Sequence, residues 1–206
     1  MNSYGLKSDV RKQAILIIFV LSVLFMCFVG NKINYYLLNC NILNDFFAKI
    51  PVFIDITYLL TAPIAFKFFY YLFNKYLWKC KIIECFFKVP NLNGRWEGML
   101  ISSYHGNECK ISMILDIEQT WDSMICYSIF KESRSSSDII CLESVGSGKF
   151  VLKFTYKNSS HSIDCTIQEF SGYNELTLDQ EKDTLEGIYY TRRFTHGSIK
   201  LKRITK

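Results

Sequence analysis

From Ala14 to Gly30 the chain runs for seventeen residues without a charge, as AILIIFVLSVLFMCFVG. Such a stretch has few uses: a membrane-spanning helix, a cleaved leader, or a helix buried in a large core. Lys7, Arg11 and Lys12 precede it as they would in a leader, but no small-x-small cleavage site follows Val29, and Phe25-Met26-Cys27 is a poor lipoprotein site. The reading is an uncleaved spanning helix. A second apolar segment, Val52 to Phe73, is interrupted by Asp55, Pro63 and Lys67. Lys67 is near enough to one end to snorkel, Asp55 sits near the other, and a membrane helix tolerates Pro63 or kinks at it. Thr57, Thr61 and Ala62 suit close helix contact, and Tyr70, Tyr71, Tyr76 and Trp78 suit an aromatic belt at the exit. The expectation is a membrane anchor over 1–89, with spans near 14–30 and 52–73.

Charge gives the orientation. Residues 1–94 hold ten Lys and Arg against four Asp and Glu, whereas residues 95–206 hold fourteen against fifteen. The first flank carries three cations, the loop from Asn31 to Ile50 only Lys32 and Lys49, and the second flank Lys75, Lys79, Lys81 and Lys88. The positive-inside asymmetry predicts a multi-pass protein with both termini cytoplasmic. The nearly neutral C-terminal part argues against DNA or RNA as a partner, since such domains present a basic face. The eight cysteines lie scattered with no Cys-x-x-Cys, and Cys27 falls inside an apolar helix. They read as reduced thiols in a cytoplasmic protein.

Pro90-Asn91-Leu92-Asn93-Gly94 ends the helical part and opens a second domain, 90–206. Beyond it apolar and polar residues alternate, as at Ile111, Met113, Leu115 and Ile117, and again at Phe150, Leu152, Phe154 and Tyr156. Period two predicts half-buried strands. They are expected over 94–104, 109–119, 122–131, 138–145, 149–157, either 161–168 or 173–179, 184–193 and 198–204. Turns are expected at His105-Gly106-Asn107, Gly146-Ser147-Gly148, Asn158-Ser159-Ser160, Ser171-Gly172 and His196-Gly197-Ser198. About eight antiparallel strands in a domain of this size predict a small closed β-barrel, with a sandwich as the alternative. Trp96, in Gly94-Arg95-Trp96-Glu97-Gly98, is expected to plug one barrel end.

Catalytic patterns are missing from the sequence. The three histidines stand singly, no Cys/His cluster has metal-ligand spacing, and neither a nucleophile elbow nor a phosphate loop occurs. The chain is therefore expected to bind rather than catalyse, without a metal or cofactor. Candidate ligand contacts are Arg192 and Arg193, whose forks suit phosphate, with Tyr104, Trp121, Arg134, Tyr156 and Tyr189 at strand ends or loops. One of the two adjacent arginines is alternatively a stacking partner for Trp96.

Two short spans, a linker and a barrel opening on Leu92-Asn93-Gly94-Arg95-Trp96-Glu97-Gly98, with Leu185-Glu186-Gly187-x-Tyr189, Arg192 and Gly197 further on, resemble one family. It is the two-transmembrane, β-strand-rich effectors of bacterial CBASS anti-phage defence. The resemblance implies an inner-membrane protein whose barrel senses a cyclic oligonucleotide made by a partner cyclic-nucleotide synthase. It also implies self-association, disruption of the lipid bilayer and death of the infected cell. Two other classes stay open: a membrane-tethered, lipocalin-like carrier of a small apolar ligand, and a structural subunit of a membrane complex.

Overall fold

The computed structural model describes all residues except 1, 7, 40–50, 105–108, 132, 147–148, 161–169, 182 and 206. They form two compact units, Ser8–Cys80, and Met1–Lys7 together with Lys81–Lys206.

In the first unit, helix α1 spans Ser8–Asn39 and helix α2 spans Pro51–Lys75, followed by a short 3-10 turn at Leu77–Lys79. Within α1, Asp9–Val29 is apolar enough to cross a membrane, the one such segment among the described residues. Its 21 residues rise about 31 Å, which matches a hydrocarbon core of about 30 Å. Leu16, Leu24 and Phe28 face outward along it, and Ser22 satisfies its hydroxyl on the Ile18 carbonyl at 2.6 Å. The helix runs past Gly30 to Asn39, because no proline or other strong breaker follows the apolar run there. The segment expected as a second span lies within α2, and that helix passes through Pro63 unbroken. Phe19 and Phe25 of α1 meet Phe66 and Phe69 of α2 edge to face, at 6.2 and 5.1 Å. Tyr71 and Tyr76 are exposed, while Trp78 is buried. The side chains of Asp55, Thr57 and Thr61 lie outside the described residues.

The second unit is a barrel. A two-residue strand β1 (Asn2–Ser3) and a short helix α3 (Lys81–Phe87) precede eight long strands. These are β2 (Gly94–Ser102), β3 (Cys109–Gln119), β4 (Ser123–Ile129), β5 (Ser133–Ser144), β6 (Phe150–Ser160), β7 (Phe170–Asp179), β8 (Thr184–Thr191) and β9 (His196–Thr205). Each pairs antiparallel with the next, and β9 returns to β2, so the meander closes into a barrel, as the alternation predicts, with its shortest ladder between β4 and β5. One face of each strand turns inward: Trp96 and Leu100, Met113, Leu115 and Ile117, Leu152 and Phe154, Leu176 and Leu178, Ile199 and Leu201 are all buried.

The two ends of the barrel differ. At the end where the chain enters, Trp96 is fully buried and donates Nε1–H to the Leu92 carbonyl at 3.1 Å. The guanidinium lying on its ring, 4.3 Å from the centroid, belongs to Arg203, not to Arg192 or Arg193. Burial holds the Arg203 pKa below its usual value, its amino group donates to the Asn91 carbonyl at 2.8 Å, and Asp183 lies 3.6 Å away. Asn93 extends the ladder, its side chain bridging the Gln119 carbonyl and amide at 2.9 and 2.7 Å. Phe87 of α3 packs on Trp121 at 5.1 Å.

Several turn expectations are corrected. Asn158-Ser159-Ser160 and Ser171-Gly172 belong to β6 and β7, and His196-Gly197-Ser198 opens β9. The glycines there serve close approach instead of chain reversal. A Cβ on Gly172 would collide with the ring of Tyr156, which pairs with it across the strands, and one on Gly197 would collide with the Ile101 carbonyl and crowd Tyr189. The ambiguous strand between 161 and 179 is β7. Strand β5 begins at Ser133, five residues before the expected start, because the serine run 135–137 continues the ladder. His105-Gly106-Asn107 lies outside the described residues.

Candidate functional site

The end opposite Trp96 is open. A cavity of about 330 Å³ enters the barrel there, at the low end of the range for small-molecule sites. Its wall is apolar at Leu100, Ile111 and Phe130 and hydroxyl-rich at Ser102, Ser133, Ser135, Thr191 and Thr195, with Tyr104, Tyr156, Tyr189, Lys131 and Arg193 completing it. Among the described residues none that lines it is a carboxylate. Small residues at inward positions of the strand ends create the space that bulky side chains fill at the other end.

Tyr156 and Tyr189 lie side by side in the wall. Burial, with the neighbouring Tyr189, pushes the Tyr156 phenol up to about 12. Burial also raises Tyr189, and hydrogen bonds with Ser102 and Thr195 partly offset the rise. Both phenols therefore stay protonated at neutral pH and can donate to an anion. Ser135 is buried, and its Oγ has no hydrogen-bond partner among the described residues. Sealed from solvent just behind the cavity wall, this hydroxyl is an unmet polar group that a ligand satisfies only if the wall yields to it.

The turn between β8 and β9 is clasped by Thr191 and Thr195, whose hydroxyls lie 2.6 Å apart, with the Thr195 carbonyl also accepting from the Thr191 amide at 2.9 Å. Within it Arg193 reaches the cavity while Arg192, next to it, does not line it. Phe194 sits in the left-handed region at φ 61° with its ring in solvent.

Of the seven candidate contacts, Tyr104, Tyr156, Tyr189 and Arg193 meet in this cavity. Trp121 is fully buried against Phe87, in the region of Trp96. Arg134 faces outward, in a concavity of about 520 Å³ with Asp116, Glu118 and Tyr127. Strand parity explains it: Ser133 and Ser135 line the interior, so Arg134 between them cannot. Lys131, Ser102, Ser133, Ser135, Thr191 and Thr195 escape the sequence reading. Their one visible signal is parity, small hydroxyls at every second position of Ser133, Ser135 and Ser137. A bulge between Ser137 and Ile140 shifts that parity before the apolar alternation resumes, and so conceals it. Among the described residues six cysteines are free thiols, with Cys109 at the open end and Cys126 buried in the wall. Among the same residues no cluster of three or more His, Cys, Asp or Glu suits a metal ion.

Comparison with known proteins places this geometry. Residues 87–203 match the family model described as Cap15, cyclic dinucleotide receptor domain. A CD-NTase-associated protein 15 from Yersinia aleksiciae is 30% identical over 153 residues, covering 71% of each chain. A CD-NTase-associated protein 15 from Escherichia albertii is 26% identical over 148 residues, covering 69% of this chain and 74% of its own. The matched span begins at Phe87 and ends at Arg203, and so takes in β2 to β8 and most of β9, up to the arginine that stacks on Trp96. With its closed eight-stranded barrel matched by the family model over 87–203 and its chain matched by the Yersinia aleksiciae relative over 71% of its length, this chain is a member of the Cap15 family of CBASS effectors.

Proposed function

We propose that the open end of the barrel is the receptor site for a cyclic dinucleotide, and that binding switches a membrane-anchored effector. The observation that carries this reading is the order of groups around the mouth. Four hairpins surround it: β2–β3, β4–β5, β6–β7 and β8–β9. In a closed meander of eight strands, β4–β5 lies directly across from β8–β9, and β2–β3 across from β6–β7. The first pair carries the cations Lys131 and Arg193, and the second carries Tyr104 and, near its base, Tyr156. Among the described residues the order around the circle is cation, tyrosine, cation, tyrosine, with Tyr189 below Arg193. A cyclic dinucleotide has the same two-fold alternation, with two phosphates across one diagonal and two bases across the other. Cations answer the phosphates, and aromatic faces stack on bases. Tyr156, Tyr189 and Ser135 supply hydroxyl donors beneath. The cavity takes the inner part of such a ligand and the open mouth the rest.

In this reading the spans are α1 and α2, both termini face the cytoplasm, and the membrane is the bacterial inner membrane. Ligand-loaded barrels self-associate and the clustered spans breach the bilayer; a two-helix anchor is too small to enclose a pore alone. The ligand comes from a cyclic-nucleotide synthase and is not consumed, so the barrel acts as a sensor and not an enzyme. An apolar-ligand carrier fits less well, because two cations, Lys131 and Arg193, line the cavity. Calorimetry on the full chain in nanodiscs, against cyclic di-AMP, cyclic di-GMP, cyclic di-UMP and their linear counterparts, tests the reading. Saturable binding of at least one cyclic compound, recovered intact by chromatography, is expected. No heat and no thermal shift with any of them removes the receptor function.

A further inference from the structure

The barrel closes weakest between β4 and β5. Their backbones pair only where Tyr127, Ser128 and Ile129 meet Ser136, Ser135 and Arg134. Beyond that the Cys126 amide turns to the Ser137 hydroxyl at 2.9 Å, β5 bulges, and the strands part. The chain's own N-terminus fills the gap. Asn2 and Ser3 pair antiparallel with Met124 and Ser123 of β4. Gly5 bridges β5, donating its amide to the Ile140 carbonyl at 2.8 Å and accepting from the Leu142 amide at 2.9 Å. Tyr4, between them, is fully buried in the core. Two residues beyond Leu6, at Ser8, α1 begins. The same β4–β5 hairpin presents Lys131, Ser133 and Ser135 to the cavity at its other end.

We propose that this seam is a strand-binding site, occupied by residues 2–5 of the chain itself, and that ligand in the cavity displaces them and so frees α1. The inference rests on the receptor reading above. Two arrangements of the seam exclude each other. In one, the edge of β4 at 123–124 pairs with β1, and in the other the β4–β5 ladder zips past Cys126 onto that edge. A ligand that grips Ser133 and Ser135 acts on β5, the strand that runs on through the bulge after Ser137 to Ile140 and Leu142 on Gly5, and so biases the seam toward the zipped form. This gives a bistable element both of whose states use groups already present, and its strand exchange follows the chemistry of β-augmentation.

A built-in chemical lock makes the test direct. A Cβ placed on Gly5 comes within 3.0 Å of Cys141 Sγ and 3.5 Å of its Cβ, the spacing of a disulfide. The full-length Gly5→Cys variant, oxidised in nanodiscs, should form an intrachain bond to Cys141, and saturating cyclic dinucleotide should slow that bond at least tenfold. Once locked, the protein should bind the ligand about tenfold more weakly, by reciprocity of coupling, and should release no dye from liposomes until reduced. In the unmodified chain, ligand should speed hydrogen exchange at the Gly5 and Leu142 amides. If ligand binds yet leaves the crosslinking rate and both amides unchanged, or if locked and reduced proteins leak dye alike, the strap mechanism is wrong and the receptor reading stands. If no cyclic dinucleotide binds even the unmodified chain, both fall together.

Discussion

Ser135 carries a polar atom that the ligand-free barrel leaves unsatisfied among the described residues. Its hydroxyl is buried without a partner among the described residues, a situation that costs about 1–3 kcal/mol. Ser135→Ala should therefore stabilise the ligand-free barrel by about 1 kcal/mol in denaturant melts and at the same time weaken ligand binding severalfold. Loss of stability together with unchanged affinity would mean that the hydroxyl faces neither a void nor a ligand. Tyr156 carries the converse signal. Its phenol ionises near 10 in the unfolded chain and at about 12 in the barrel. The folded state thus holds its proton where the unfolded state has lost it. The stabilisation is complete below about pH 10 and disappears as pH rises through about 12, a swing of about 2–3 kcal/mol. Tyr156→Phe should flatten the fall in unfolding free energy across that window, and an equally steep fall in the variant would place the titrating group elsewhere.

Among the elements, the clamp of β9 on β2 separates stability from binding. Arg203 stacks on Trp96 and donates to the Asn91 carbonyl at the barrel end away from the cavity. Arg203→Ala should cost about 2–4 kcal/mol of stability and leave ligand affinity within about twofold, as read by melts and calorimetry on the same preparation. A parallel loss of affinity would show that the plug and the cavity are coupled. The elements are legible in the sequence to very different degrees. Alternation at Met113, Leu115 and Ile117 or at Leu152, Phe154 and Tyr156 announces a wall whose inner face is apolar, so barrel and strand order follow from it. The serine run of β5 carries no apolar contrast, and the bulge after Ser137 shifts its parity, so the best hydroxyl wall of the cavity reads as loop. Gly172 and Gly197 look like turns because a glycine's use for close approach depends on what lies across the strand, which only pairing reveals. Arg134 and Arg193 are indistinguishable by residue type; a single step of parity sends one to the outside and a tight turn sends the other inward. Trp121 has the sequence surroundings of a rim aromatic, yet Phe87, from the helix before the barrel, covers it.

For the whole molecule, the charge asymmetry around α1 and α2 favours a barrel on the cytoplasmic side. A reporter enzyme fused after Lys206 should be active only in its cytoplasmic form; activity of a periplasmic phosphatase fused there would invert the topology. On the proposed reading, a barrel with a receptor mouth at one end and a side-chain plug at the other reports occupancy without chemistry, and the central requirement of that reading is that two cations from opposite hairpins hold one two-fold ligand. Calorimetric titration of cyclic dinucleotide into the full chain and its Lys131→Ala, Arg193→Ala and doubly substituted forms measures this. Each charge-assisted contact contributes about 1.5–3 kcal/mol, so each single substitution should weaken binding about tenfold or more and the pair about a hundredfold or more, with Arg192→Ala as a near-neutral control. Binding by the double variant as tight as that of the native chain would contradict a ligand held across the mouth.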